Sequence, residues 1–117
     1  IGDPRLDLAT TLGYWLEADD PPPLLQLGLG ITSLPGNWTR EQVVSAYEAA
    51  SGRSVGDPVW LLAFGLFKVA VIAQQIFARY AAGHTSDPRF FQLDLAVAAL
   101  GDLAARAIDE HRISALA

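Results

Sequence analysis

Apolar residues recur with a helical period in four stretches of the chain, and none alternates with the period of a strand. Leu6, Ala9, Leu12 and Leu16 give the first stretch an apolar face and predict a helix from Pro4 to about Glu17. The second begins after Thr39, which stands at capping-box spacing from Gln42, with Trp38 and Val43 spaced as a hydrophobic staple. It ends near Gly52, a residue suited to the left-handed position that closes a helix. The third runs from Pro58 to about Ala82, stops at Gly83 and is apolar on nearly every side. The fourth runs from Pro88 to about Arg112 and is rich in alanine. Three of these starts share one device, Asp3-Pro4, Asp57-Pro58 and Asp87-Pro88. The aspartate accepts from an orphan N–H, and the proline needs no donor partner and has its φ already set.

Between the first two helices, Ala18 to Trp38 holds Pro21, Pro22, Pro23, Gly28, Gly30, Pro35 and Gly36, a density that excludes a regular helix. Its Leu24, Leu25, Leu27, Leu29, Ile31 and Leu34 predict that it packs onto the body. The expected fold is all-α: four helices and a long ordered Pro/Gly-rich loop, forming a single helical domain over residues 1–117.

The third helix is long enough to cross a bilayer. Lys68 lies near its centre, followed by Gln74, Gln75 and Arg79. A central lysine costs roughly 2.5–3.5 kcal/mol of insertion energy, against a gain of ~0.3–0.6 for each large apolar residue. A buried central helix and no membrane association are therefore expected. The expected location is cytoplasmic. Lys68, Gln75 and Arg79, separated by seven and four residues, share one stripe, which is either the helix's wet side or the wall of a cleft.

The 117 residues carry 8 basic and 13 acidic side chains, a net charge of -5, which disfavours nucleic acid as a partner. Cysteine is absent, so disulfides, thiolate metal sites and a cysteine nucleophile are excluded. The sequence starts at Ile1 and contains no methionine, and it reads as a piece of a larger protein.

Candidate chemistry is sparse. His84 and His111 lie far apart, in a loop and at a polar helix end, with no metal-ligand spacing. Gly28-Leu29-Gly30 lacks a preceding strand, and no phosphate-binding loop or nucleophile elbow occurs. Asn37-Trp38-Thr39 matches a glycosylation sequon, but Thr39 reads as a helix cap. Asp19-Asp20, ahead of three prolines, reads as a solvated turn. By its residues alone the chain carries no catalytic site.

One segment changes this picture. Ile1-Gly2-Asp3-Pro4-Arg5-Leu6-Asp7-Leu8 resembles the G-D-P-x-x-D-L segment of the aminoglycoside phosphotransferase and choline kinase-like family. Downstream, Tyr14-Trp15, Pro21-Pro22-Pro23-Leu24, Thr32-Ser33-Leu34-Pro35-Gly36, Phe67-Lys68-Val69-Ala70, Ala78-Arg79-Tyr80 and Thr85-Ser86-Asp87-Pro88-Arg89-Phe90 are similar, in order and spacing, to the acyl-CoA-dehydrogenase-associated phosphotransferases. The resemblance spans essentially the whole chain. It implies the C-terminal helical subdomain of a protein-kinase-like fold, beginning just after the metal-binding aspartate. The N-terminal lobe, the catalytic loop, ATP and magnesium would then belong to the intact parent, leaving this chain with no cofactor and inactive alone. The resemblance gives Asp3 and Asp7 structural roles, Asp7 bonding the backbone of the absent catalytic loop. It makes Lys68, Gln75, Arg79 and Tyr80 candidates for holding a small-molecule phosphoryl acceptor, a hydroxylated acyl compound in this subgroup. Separated from its lobe, the helical piece could also act as a non-enzymatic binding module or homo-oligomer through newly exposed apolar surface.

Overall fold

A computed structural model describes residues 3–25, 36–83 and 93–116. Within them the chain is all-helical, with α1 over Pro4–Tyr14, α2 over Pro22–Leu25, α3 over Arg40–Ser51, α4 over Pro58–Ala81 and α5 over Leu93–Glu110. α4 is the spine: α1 packs on one side of it, α5 on another, and the single turn of α2 rests on α5. Leu8, Ala9 and Leu12 from α1, Leu61, Leu62, Leu66 and Val69 from α4, and Ala96, Leu100, Leu103 and Ala107 from α5 meet in the core.

The helix starts follow the capping chemistry of the sequence. Asp3 accepts from Arg5 N and Asp57 from Val59 N, each with proline at the next position. Thr39 and Gln42 form the reciprocal capping box, and Gly52 closes α3 in the left-handed conformation. The Asp87-Pro88 start, His84, Gly28-Leu29-Gly30 and the other loop residues from 26 to 35 lie outside the described residues.

Three expectations are corrected. α1 ends at Tyr14, not near Glu17, because Trp15 turns to an extended backbone and spends its carbonyl on Arg40 Nε (2.9 Å). Leu6, assigned to the apolar face of α1, is 39% exposed, and Leu8 is buried instead. The proline-rich segment does contain a helix, the single turn α2, because Leu24 N and Leu25 N both donate back to Pro21 O. As expected for a segment packed on the body, Leu24 is buried.

α1 and α4 cross almost backbone to backbone. A methyl group at Gly65 would collide with the Ala9 carbonyl oxygen, and one at Gly13 would lie 2.6 Å from the Gly65 carbonyl oxygen. Small residues one turn apart on α1, Ala9 and Gly13, make the groove that admits Gly65.

α4 is not the wrapped helix expected. Leu61, Leu62, Gly65, Leu66, Val69 and Ala73 face inward. Trp60 and Phe67, at 56% and 66% exposure, point outward with Val71 and Ile72. Two neighbouring helices cover only part of an apolar cylinder, and the described residues place nothing on the rest. By length and composition α4 could cross a bilayer, and 33% of its most apolar stretch is buried.

Candidate functional site

Two polar constellations stand out, one exposed and one buried. The exposed one is the α4 stripe. Lys68, Gln75 and Arg79 are all solvent-facing. Lys68 is tethered, its Nζ donating to Thr10 Oγ1 on α1 (3.2 Å). Arg79 lies in the last turn of α4, where the helix dipole favours a cation. Tyr80 is half-buried, its ring tilted against Phe77 at 6.5 Å between centroids. The structure thus places Lys68, Gln75 and Arg79 on one open helix face, and Tyr80, half-buried, turned away from that face.

At the start of α1, Arg5 Nε donates to both Asp3 carboxylate oxygens (3.1 and 2.9 Å), and this pairing holds the Asp3 carboxyl below the usual aspartate range. Asp7 is exposed; its backbone carbonyl accepts from Thr11 Oγ1 (3.0 Å), and its carboxylate has no partner among the described residues.

The buried constellation overturns the reading of Asp19-Asp20 as a solvated turn. Asp19 is exposed, but Asp20 is 3% exposed and paired with Arg40, itself fully buried. Arg40 is the first residue of α3, where a cation opposes the helix dipole. Its compensation comes from every side. Nε donates to Trp15 O (2.9 Å), Nη1 to Ile113 O (3.0 Å) and Nη2 to Asp20. Glu17 approaches Nη1 at 3.9 Å and accepts from Arg40 N at 2.7 Å.

Glu17 also accepts from Ser114 Oγ (2.7 Å) and Ala115 N (3.2 Å), so it fastens the C-terminal segment to the start of α3. One guanidinium thus serves two buried carboxylates. Burial pushes the Asp20 carboxyl above the usual aspartate range despite the pull of Arg40, and its Oδ1 has no hydrogen-bond partner. The available signal in the sequence was Arg40 at a helix start, a position that calls for nearby acids.

The remaining polar features add little chemistry. His111 is exposed just past α5, with φ +52°. An open groove of about 600 Å³ lies over the first turns of α3, between Trp38, Glu41, Gln42 and Ser45. Among the described residues, no group of three or more histidines and carboxylates could hold a metal ion.

The chain matches no family model, no curated protein and no solved structure. The buried cluster has nearly all its donors and acceptors engaged within the protein, which suits it to joining segments. The α4 stripe and the Asp7 carboxylate keep theirs directed outward, which suits them to a partner or a ligand.

Proposed function

We propose that this chain is the acceptor-side helical subdomain of an ATP-dependent small-molecule phosphotransferase, acting in the cytoplasm as one part of a larger enzyme. The resemblance of its ordered segments to that family is the starting point. The observation that supports the reading is Asp7, a first-turn carboxylate on a helix whose start is fixed by the Asp3-Pro4 cap, facing solvent with no partner among the described residues. A residue meant to bond a catalytic loop contributed by another part of the enzyme has that disposition.

The described residues do not fit magnesium, because Asp3 is committed to Arg5 and Asp7 stands alone. Nucleotide and metal would be held elsewhere in the parent. This chain would supply Lys68 and Arg79, two cations on an exposed stripe that can grip an anionic group on the acceptor, the arginine in bidentate fashion.

The test is to express this chain joined to the coding sequence preceding it, and to measure γ-phosphoryl transfer from ATP to hydroxylated anionic acceptors. Arg79→Ala is expected to raise KM for the acceptor about tenfold or more and leave KM for ATP unchanged. An upstream sequence without a catalytic-loop aspartate and asparagine would sink the reading. A second reading, a non-enzymatic binding module, is favoured by the exposed apolar side chains of α4, Trp60, Phe67, Val71 and Ile72.

A further inference from the structure

The outer face of α4 carries a pattern that suits a second copy of itself. Trp60, Phe64, Phe67 and Val71 recur at spacings of three and four along the helix, and Trp60 and Phe64 stack at 5.4 Å between ring centroids. Trp60, Phe67 and Val71 are exposed, and Phe64 is half-buried. Asp57, Lys68, Gln75 and Arg79, separated by eleven, seven and four residues, lie along one edge of this stripe.

The charges at its two ends are opposite: Asp57 at the start of the helix and Arg79 in its last turn. Lys68 lies midway, eleven residues from each. Two α4 helices laid antiparallel about a two-fold axis near residue 68 therefore bring each Asp57 toward the partner's Arg79 over a span of about 33 Å. The same rotation brings Phe64, Phe67 and Val71 of both helices close to the axis, leaves Trp60 towards the ends, and sets the helix dipoles head to tail. The two Lys68 side chains would meet near the axis, but each is drawn toward α1 by Thr10.

Leu6 and Tyr14, both 39% exposed, share the α1 ridge that carries Thr10, and they widen the apolar patch beyond one helix. A standard interface buries about 800 Å² per partner, and a patch one to two helices wide falls at or below that. The pairing is thus weak and reversible. Its rim charges select the register more than they add affinity.

We propose that the chain self-associates as a two-fold dimer through antiparallel α4 helices, with Phe64, Phe67 and Val71 near the centre, Trp60 flanking them and Asp57–Arg79 pairs at the ends. The phosphotransferase reading is not needed for this. The readout below involves no phosphoryl transfer, so either idea can fail without the other.

The test is sedimentation velocity on the 117-residue chain from about 1 µM to about 1 mM, with helicity followed by circular dichroism. A monomer–dimer equilibrium with a dissociation constant on the order of 10 µM is expected. Phe67→Glu, at an exposed position, should weaken it at least about tenfold with helicity unchanged. Arg79→Glu and Asp57→Lys should each weaken it by roughly 3-fold, and the two combined should recover most of the loss. That recovery could not come from folding, because the double variant still lacks the Asp57 cap. A monomer at every concentration, a dimer indifferent to Phe67→Glu, or charge effects that simply accumulate would overturn the proposal. So would a chain that stays monomeric in buffer and binds vesicles of anionic phospholipid through Trp60, which would assign the face to a bilayer.

Discussion

Arg40 shows how much one side chain can carry in a small helical protein. Its three guanidinium nitrogens reach the Trp15 carbonyl, the Ile113 carbonyl and Asp20, and so tie together the end of α1, the proline-rich turn, the start of α3 and the C-terminal segment. Arg40→Met would leave Glu17 buried without a counter-ion, and Asp20 and two carbonyls without a donor. Removing one member of a buried ion pair typically costs about 3–5 kcal/mol. Against a domain stability of roughly 5–15 kcal/mol, that is a large fraction. Urea denaturation of the variant is expected to show a loss of this size. Arg40→Lys should recover only part of it, since a single ammonium cannot reach three acceptors in a fork. A variant within about 0.5 kcal/mol of the parent would mean that the network adds nothing net to stability.

Between elements, the decisive contact involves no large side chain. Gly65 on α4 passes against the Ala9 carbonyl, and Gly13 faces the Gly65 backbone in turn. In Gly65→Ala the obstacle to the new methyl group is backbone, which cannot rotate aside, so the helices must separate. Overpacking costs typically 1–3 kcal/mol, set against up to about 1 kcal/mol gained in helix propensity. A net loss of about 1–2 kcal/mol is expected in thermal or urea unfolding. Gly101→Ala on α5 is the internal control: nothing lies within 4 Å of its added carbon, so the propensity gain should appear alone as a slight stabilisation. Equal effects at both sites would contradict the close crossing.

This crossing was not legible in the sequence, because periodicity marks which face is apolar but not how near two backbones approach. Helix boundaries were legible wherever a cap set them: Asp3-Pro4, Asp57-Pro58, the Thr39–Gln42 box and Gly52 depend on neighbours a few residues away. The end of α1 was not, since its cause is Arg40, 25 residues from Trp15. Asp20 was misread for the same reason. Its burial depends on a partner that neither its neighbours nor their spacing reveal. Lys68, Gln75 and Arg79 were correctly placed on one stripe, but only the packing of α1 and α5 shows that the stripe borders an apolar surface open to solvent.

At the scale of the whole molecule, the buried cluster makes stability depend on pH in a direction opposite to that of most carboxylates. Paired surface acids such as Asp3 have their titration lowered by a cation, so they stabilise the fold at neutral pH and lose that contribution in acid. For Asp20 the dominant influence is burial, which raises its titration above the ordinary range. Between about pH 4, where an unfolded aspartate titrates, and the higher value in the fold, the folded protein binds the proton that the unfolded chain has released. Stability therefore falls as pH rises through that window, and Asp20's contribution is fully present only below it.

The charge count gives the reason. Glu17 and Arg40 neutralise each other, and a proton on Asp20 leaves the cluster neutral rather than carrying a buried negative charge. Asp20→Asn removes the titration and keeps an oxygen for Arg40 Nη2. Wild type and variant should therefore diverge with pH, with wild-type stability declining relative to Asp20→Asn from about pH 4 upward. Urea midpoints measured for both proteins across that range isolate the effect of the cluster, since Asp3 and the acids remote from it are common to the two. A constant difference with pH would show that Asp20 titrates alike in the folded and unfolded chains, with Arg40 offsetting burial. A difference of opposite sign would show that pairing with Arg40 lowers its titration.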